Sequence, residues 1–295
     1  MLLAAGCGGS DERTEPSKPR SPFAYDADVP LAVRDRGRVN ENYPVAIRDV
    51  SYASPGGRVE AYLAVPPGGR RRPGAVVLHG AGGDRGQLLV NALWLAGRGA
   101  VTLAITAPSA GSADTSQGLT PARALRRQHD LAVRDVVAVR RALDLLARRP
   151  DVDLERLGFL GWSAGARTGA VLAGVELRLD ALVLMSGGAA PVAEYVAQAP
   201  AALRPDVRRL LGEVDPLRHV GRGRPQRLLL QNGRQDEVVP RTALEALAKA
   251  APEGADVRWY DAGHELDVGA YREQLDWLDE RLRAGPEVRG ARTGP

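Results

Sequence analysis

Two rhythms of apolar residues divide the chain. Val45 to Val50 and Val59 to Val65 alternate apolar and polar positions, with Ser54-Pro55-Gly56-Gly57 between them. Alternation with a period of two, broken by a Pro/Gly turn, predicts an antiparallel hairpin. Beyond it the pattern changes. Ala75–Leu78, Ala100–Ile105, Leu157–Leu160, Leu182–Met185 and Arg227–Gln231 are short, nearly continuous apolar runs, the signature of strands buried on both faces. Val257–Tyr260 reads as one more strand. Helices are predicted over Gln87–Gly97, Ala164–Gly174, Thr242–Ala251 and Tyr271–Arg283. The clearest helix follows a Gly/Ser/Pro-rich loop from Ala107 to Pro121. Its Leu125, His129, Ala132, Val136, Val139, Leu143 and Leu146 recur at steps of four and three, making one apolar stripe, and Pro150 ends it.

Strands alternating with helices after an antiparallel entry predict an α/β fold. Right-handed crossovers make it a doubly wound, mostly parallel sheet with an antiparallel N-terminal hairpin and helices on both faces. Reactive groups in such a sheet gather at the carboxyl ends of the strands. Pro191–Arg224 is irregular and partly helical, and is the candidate for a lid, which must then be small. The pattern divides the chain into a tether over residues 1–42, one domain over 43–284 and a patternless tail over 285–295.

Charge and cysteine content narrow the classes. A net charge of +4, spread along 295 residues, lacks the concentrated basic stripe of a nucleic-acid binder. Cys7 is the single cysteine, which excludes an internal disulfide and a cysteine metal site. No stretch approaches the roughly 18 apolar residues that cross a bilayer. Leu3-Ala4-Ala5-Gly6-Cys7 resembles the end of a bacterial lipoprotein signal peptide, with Asp11–Pro22 as a charged, Pro/Ser-rich tether. That resemblance implies lipid on Cys7, anchoring to a membrane and an extracytoplasmic location. The competing reading is a disordered tail with an incidental thiol on a cytoplasmic protein.

The chemistry concentrates at four places. Gly161-Trp162-Ser163-Ala164-Gly165 matches G-x-S-x-G between a buried strand and a small-residue helix. A sharp strand-to-helix turn needs glycine on both sides, and it lifts the Ser163 hydroxyl above the sheet. The amino end of the helix then favours a developing negative charge. A serine needs a base. Of the four histidines, His129 lies on a helix stripe, His79 opens a glycine-rich loop and His219 falls in the irregular segment. His264 follows the last strand, where its ring can reach over the sheet edge, and is the candidate base. The base needs a carboxylate for its second nitrogen, and Asp236, Glu237 and Asp261 are the candidates. His79-Gly80-Ala81-Gly82-Gly83 follows the first parallel strand. Backbone N–H groups of Ala81 and Ala164 could together form an oxyanion hole.

In order along the chain stand a His-Gly loop, the Gly-Trp-Ser-Ala-Gly elbow, Asn232-Gly233-Arg234-Gln235-Asp236-Glu237-Val238-Val239-Pro240, and a late Gly263-His264. Together they resemble α/β-hydrolases of the dienelactone hydrolase-like and acetyl-xylan-esterase-like branch. The resemblance covers about Tyr43 to Arg283 and implies Ser163 as nucleophile, Asp236 as acid, His264 as base, and Ala81 and Ala164 as oxyanion donors. Dienelactone hydrolases use cysteine where this chain has Ser163. The implied activity is hydrolysis of a small-molecule carboxylic ester of modest acyl size through an acyl-enzyme, with no metal, no organic cofactor and no nucleic-acid partner. Two other readings share the motifs: a prolyl-oligopeptidase-like serine peptidase, and a catalytically silent, surface-tethered binding protein.

Overall fold

A computed structural model of the protein describes residues 21–41, 43–68, 71–111, 118–224 and 227–282; Cys7 and the tail over 285–295 lie outside them. The sheet contains β1 (Arg34–Arg38), β2 (Ala46–Ser54), β3 (Gly57–Val65), β4 (Arg72–Leu78), β5 (Val101–Ile105), β6 (Val152–Trp162), β7 (Leu179–Met185), β8 (Leu228–Gly233) and β9 (Asp256–Tyr260). Their spatial order is β1-β2-β3-β5-β4-β6-β7-β8-β9. The first pairings, β1 with β2, β2 with β3 and β3 with β5, are antiparallel. From β5 to β9 every pairing is parallel. The expected hairpin is β2–β3, closing on Ser54 opposite Gly57.

The chain steps from β4 outward to β5, then crosses back over β4 to start β6. That reversal makes the β4–β6 boundary a topological switch point, where loops leaving two adjacent strands part and open a crevice. The central parallel strands carry apolar runs because both faces are covered. On one face pack α2 (Pro121–Ala147) and α3 (Ala164–Val175), burying Val136, Val139, Leu143, Leu146 and Leu172 with Phe159 and Leu103. On the other pack α1 (Leu89–Gly97) and α8 (Val268–Leu282), burying Leu95, Leu275 and Leu278 against Val77, Leu160 and Val183. Pro121 stands in the first turn of α2, where its missing N–H costs nothing. The lid candidate folds into short helices, α4 (Val192–Gln198), α5 (Arg204–Glu213) and α6 (Pro216–Val220). They share a small core of Leu125, Val196, Val207 and Leu210. The remaining helix, α7 (Arg241–Ala250), lies between β8 and β9. No helix among the described residues is long and apolar enough to cross a membrane.

The folded unit extends upstream of the expected boundary at Tyr43. Arg34–Arg38 adds β1 to the edge of the sheet, and Phe23 and Leu31 are fully packed. Alternation could not reveal this segment, because β1 is almost wholly exposed and polar. Its anchor is a buried charge. Arg141 on α2 is 1% exposed and donates to the carbonyls of Ala27 (3.3 Å) and Val29 (2.6 Å), and to Asp144 (3.2 Å). Arg178 and the Tyr25 hydroxyl also bond Asp144, at 2.7 and 2.9 Å.

A second buried charge on α2 is treated differently. Asp135 is 8% exposed and has no ion-pair partner among the described residues. It accepts the Ser109 N–H at 2.9 Å and a bond from the Ser109 hydroxyl. Desolvation outweighs these bonds and pushes its carboxyl up to about 6.

These two charges give opposite expectations. Removing Arg141 leaves the upstream carbonyls without donors, so Arg141→Met should lower stability by about 3 kcal/mol, measured by urea unfolding. An unchanged midpoint would show that the upstream segment is not held by this contact. For Asp135 the folded carboxyl binds its proton more tightly than the unfolded one. The stability it lends is therefore complete below about pH 4 and lost as pH rises through about 6, an amount of order 2–3 kcal/mol. Asp135→Asn keeps an acceptor for Ser109 and cannot ionise. Its melting temperature should exceed that of the unmodified protein by a margin that widens between about pH 4 and pH 7; a margin independent of pH would refute the assignment.

Candidate active site

Ala81, Ser163, Asp236 and His264 lie just past the carboxyl ends of β4, β6, β8 and β9, and Ala164 opens α3. The elbow is the tightest of these turns. Leu78 of β4 stands in register with Gly161 of β6, so the start of α3 must cross directly over the end of β4. A methyl group at Gly165 would run into the carbonyl oxygens of Leu78 and His79, and one at Gly161 would strike the backbone of Gly165. Only hydrogen fits at either position. Ser163 between them adopts φ 55° and ψ −112°, a left-handed conformation that non-glycine residues rarely hold and that marks stored strain at a site. Its N–H is fixed to the Met185 carbonyl at 2.8 Å, and its own carbonyl accepts from Arg167 at 3.1 Å.

Asp236 and His264 come together from loops 28 residues apart, His264 Nδ1 lying 2.8 Å from Asp236 Oδ2. The other carboxylate oxygen accepts the N–H groups of Val238 (2.9 Å) and Val239 (2.8 Å). The acid is thereby oriented by its own loop, and its side chain is 1% exposed. The rivals do not reach the ring. Glu237 is exposed, and Asp261, 81% exposed, pairs with Arg234 at 3.1 Å. With Nδ1 bonded to a carboxylate, Nε2 is the nitrogen left for chemistry.

Two residues that the sequence reading passed over hold the base loop. The Trp162 indole N–H donates to the His264 carbonyl at 3.0 Å, and the Ser186 hydroxyl donates to the same oxygen at 2.8 Å. The Trp162 and His264 rings lie 5.0 Å apart at a 45° tilt. Among the described residues no hydrogen bond joins Ser163 Oγ to the His264 ring; Trp162, the neighbour of Ser163, links the two. Ser186 also has a positive φ of 49° and follows β7 as Ser163 follows β6. Its position at the end of a buried strand was the available signal.

The loop after β4 is rigid and turned toward the elbow. His79 is buried and accepts the Ala107 N–H on Nε2 at 2.9 Å, while Nδ1 meets the Gly80 carbonyl at 2.6 Å. Burial lowers its affinity for a proton, and the two partners fix a neutral ring with hydrogen on Nδ1. Gln87 accepts the Gly80 N–H at 2.9 Å. Gly80 itself passes so close that a Cβ there would sit 2.8 Å from the Trp162 ring and 3.3 Å from Ser163 Cβ. Among the described residues the N–H groups of Ala81 and Ala164 donate to no protein acceptor. Both line one cavity of about 200 Å³.

The other two histidines have structural partners. His129 Nε2 lies 2.9 Å from Glu213 Oε2, tying α2 to the helical excursion. His219 is 5% exposed. Its Nε2 bonds the Glu213 carbonyl at 2.9 Å and its ring meets Phe23 edge-on.

No protein-family model matches the chain, and no curated protein matches it by sequence. Solved structures do. Acetyl xylan esterase 1 from Thermoanaerobacterium sp. JW/SL YS485 superposes with a TM-score of 0.70 at 18% identity, covering 88% of this chain and 90% of its own. An acetyl xylan esterase from Paenibacillus sp. R4 gives 0.71 at 21% identity over 85% and 89%. A Mycobacterium tuberculosis puromycin-hydrolyzing peptidase gives 0.61 at 20% identity, over 83% of this chain and 46% of its own. At these identities the likeness establishes architecture, and with the sheet order and the elbow described above it identifies the α/β-hydrolase fold.

Proposed function

We propose that the protein is a serine hydrolase that cleaves carboxylic esters of modest acyl size. The observation that carries this reading is the 2.8 Å bond between His264 Nδ1 and Asp236 Oδ2, made at the sheet edge where Trp162 couples that ring to the elbow serine. Asp236 sets the tautomer that leaves Nε2 free to take a proton. Substrate-free enzymes often hold nucleophile and base farther apart than in the reacting complex, and the reading requires Ser163 Oγ to come within hydrogen-bond reach of His264 Nε2.

In the first half-reaction Ser163 Oγ attacks the carbonyl carbon while His264 Nε2 takes the hydroxyl proton. The oxyanion sits in the cavity lined by Ala81 and Ala164, receiving their unused N–H groups. Collapse breaks the ester C–O bond, His264 protonates the departing alkoxide, and an acyl-Ser163 ester remains. Water then attacks the acyl carbonyl, giving its proton to His264. Collapse expels Ser163, which recovers that proton, and releases the carboxylic acid. The 200 Å³ cavity and the short helical excursion over α4–α6 support a small acyl group rather than a long chain. The amino-terminal motif supports a lipid anchor on Cys7, with the folded domain carried outside the cytoplasm on its tether.

Ser163→Ala should lower turnover of p-nitrophenyl acetate by about 10⁴- to 10⁶-fold with the fold intact; retained turnover would remove Ser163 from the mechanism and leave the silent-binder reading. Across a p-nitrophenyl series, kcat/KM should be greatest for acetate to butyrate and fall by about tenfold or more by octanoate. A maximum at octanoate would contradict the small acyl site.

A further inference from the structure

A second cavity, of about 270 Å³, adjoins the first between α2, α3 and the helical excursion. Ser109, Asp135, Ala164 and Thr168 line both, so the two meet at the residue whose N–H faces the reacting carbonyl in the proposed mechanism. The walls of the larger cavity are mainly apolar, from Leu131, Val136, Val171 and Val192 among others. At the junction stands Asp135, a carboxylate that the protein buries without a cation and that the proposed acyl transfer does not use. Buried charges without counter-charge are rare because desolvation is costly.

We propose that this larger cavity binds an amine-bearing arm of the substrate, whose protonated nitrogen donates to the Asp135 carboxylate. Ser109 supplies Asp135 with two hydrogen bonds and no charge, so an ammonium group would provide what the site lacks. The other charged groups lining the cavity are Asp215 and Arg167, and His79 lines the smaller one. Asp215 adds a second carboxylate, already accepting the Leu217 N–H at 2.9 Å. Arg167 is exposed, where water screens it. His79 is held neutral by its two backbone partners. The electrostatic balance around the buried apolar volume therefore favours a cation over an anion or an uncharged alkyl group. An apolar wall with one buried carboxylate is also selective, since an uncharged isostere leaves that carboxylate unsatisfied.

The inference rests on the esterase reading for which molecule carries the amine, and the test separates the two. Two acetates of the same shape are compared at neutral pH: 2-(dimethylamino)ethyl acetate, protonated on nitrogen, and 3-methylbutyl acetate, with C–H in place of N–H. Acid release measures kcat/KM for each. The unmodified protein should prefer the amine ester by about 10- to 100-fold, the worth of one hydrogen bond between charged groups. Asp135→Asn retains the acceptor for Ser109 and should bring that ratio near one. A ratio near one in the unmodified protein, or a ratio that Asp135→Asn leaves unchanged, overturns the proposal and reduces Asp135 to a tether for the loop at Ser109. If neither ester is hydrolysed, the esterase reading fails. Calorimetric titration with 2-dimethylaminoethanol against 3-methylbutan-1-ol then decides the subsite alone. Binding of the amine only, abolished by Asp135→Asn, upholds it; equal or absent binding overturns it.

Discussion

The site depends on one steric constraint: the first turn of α3 must pass over the end of β4 with no side chain between them. Gly161 and Gly165 satisfy it because a methyl at Gly165 would meet the carbonyls at the end of β4, and one at Gly161 would meet the backbone of the first turn of α3. The rest of the elbow follows. The chain turns within three residues, Ser163 is forced to a positive φ, and its side chain projects into the crevice opened by the crossover from β5 to β6. Gly80 repeats the constraint from the opposite wall, letting the loop after β4 close against Trp162 and Ser163. Gly80 and Gly165, two of these glycines, line the 200 Å³ cavity beside the elbow.

Much of this was legible in the sequence, for physical reasons that differ by element. The parallel strands were readable because burial on both faces leaves continuous apolar runs such as Leu157–Leu160. α2 was readable because a long helix over a sheet needs a stripe at steps of three and four. The elbow was readable because sterics restrict it to very few residue types. Asp236 was separable from Glu237 and Asp261 only through the resemblance of its loop; the structure adds the local reason, two backbone N–H groups of that same loop turning the carboxylate inward. β1 was invisible because a polar edge strand carries no hydrophobic period. The segment just before it is fastened through Arg141, over 110 positions away, and nothing in a local window records a bond between a helix side chain and distant carbonyls. The holding roles of Ser186 and Trp162 escaped notice because a residue that holds another's carbonyl leaves no motif.

Arg141 and Asp135, both buried on α2, show how one helix serves two purposes. Near its carboxyl end Arg141 is surrounded by acceptors and fastens the upstream segment to the domain. Two turns earlier Asp135 lacks such compensation and faces the crevice. Charge that is neutralised internally contributes to architecture. Charge left without a partner in an apolar wall lowers stability, and it is kept at the junction of the two cavities.

The doubly held carbonyl of His264 has a consequence for precision. Its indole donor belongs to the residue immediately before Ser163, so the imidazole is registered against the peptide that carries the hydroxyl, independently of the intervening hundred residues. A tilt of α3 or a breathing motion of the sheet displaces both partners in the same direction. In the proposed mechanism the gap between hydroxyl and imidazole is thus insulated from fluctuations of the scaffold, much as two instruments bolted to one bench keep their alignment when the floor moves.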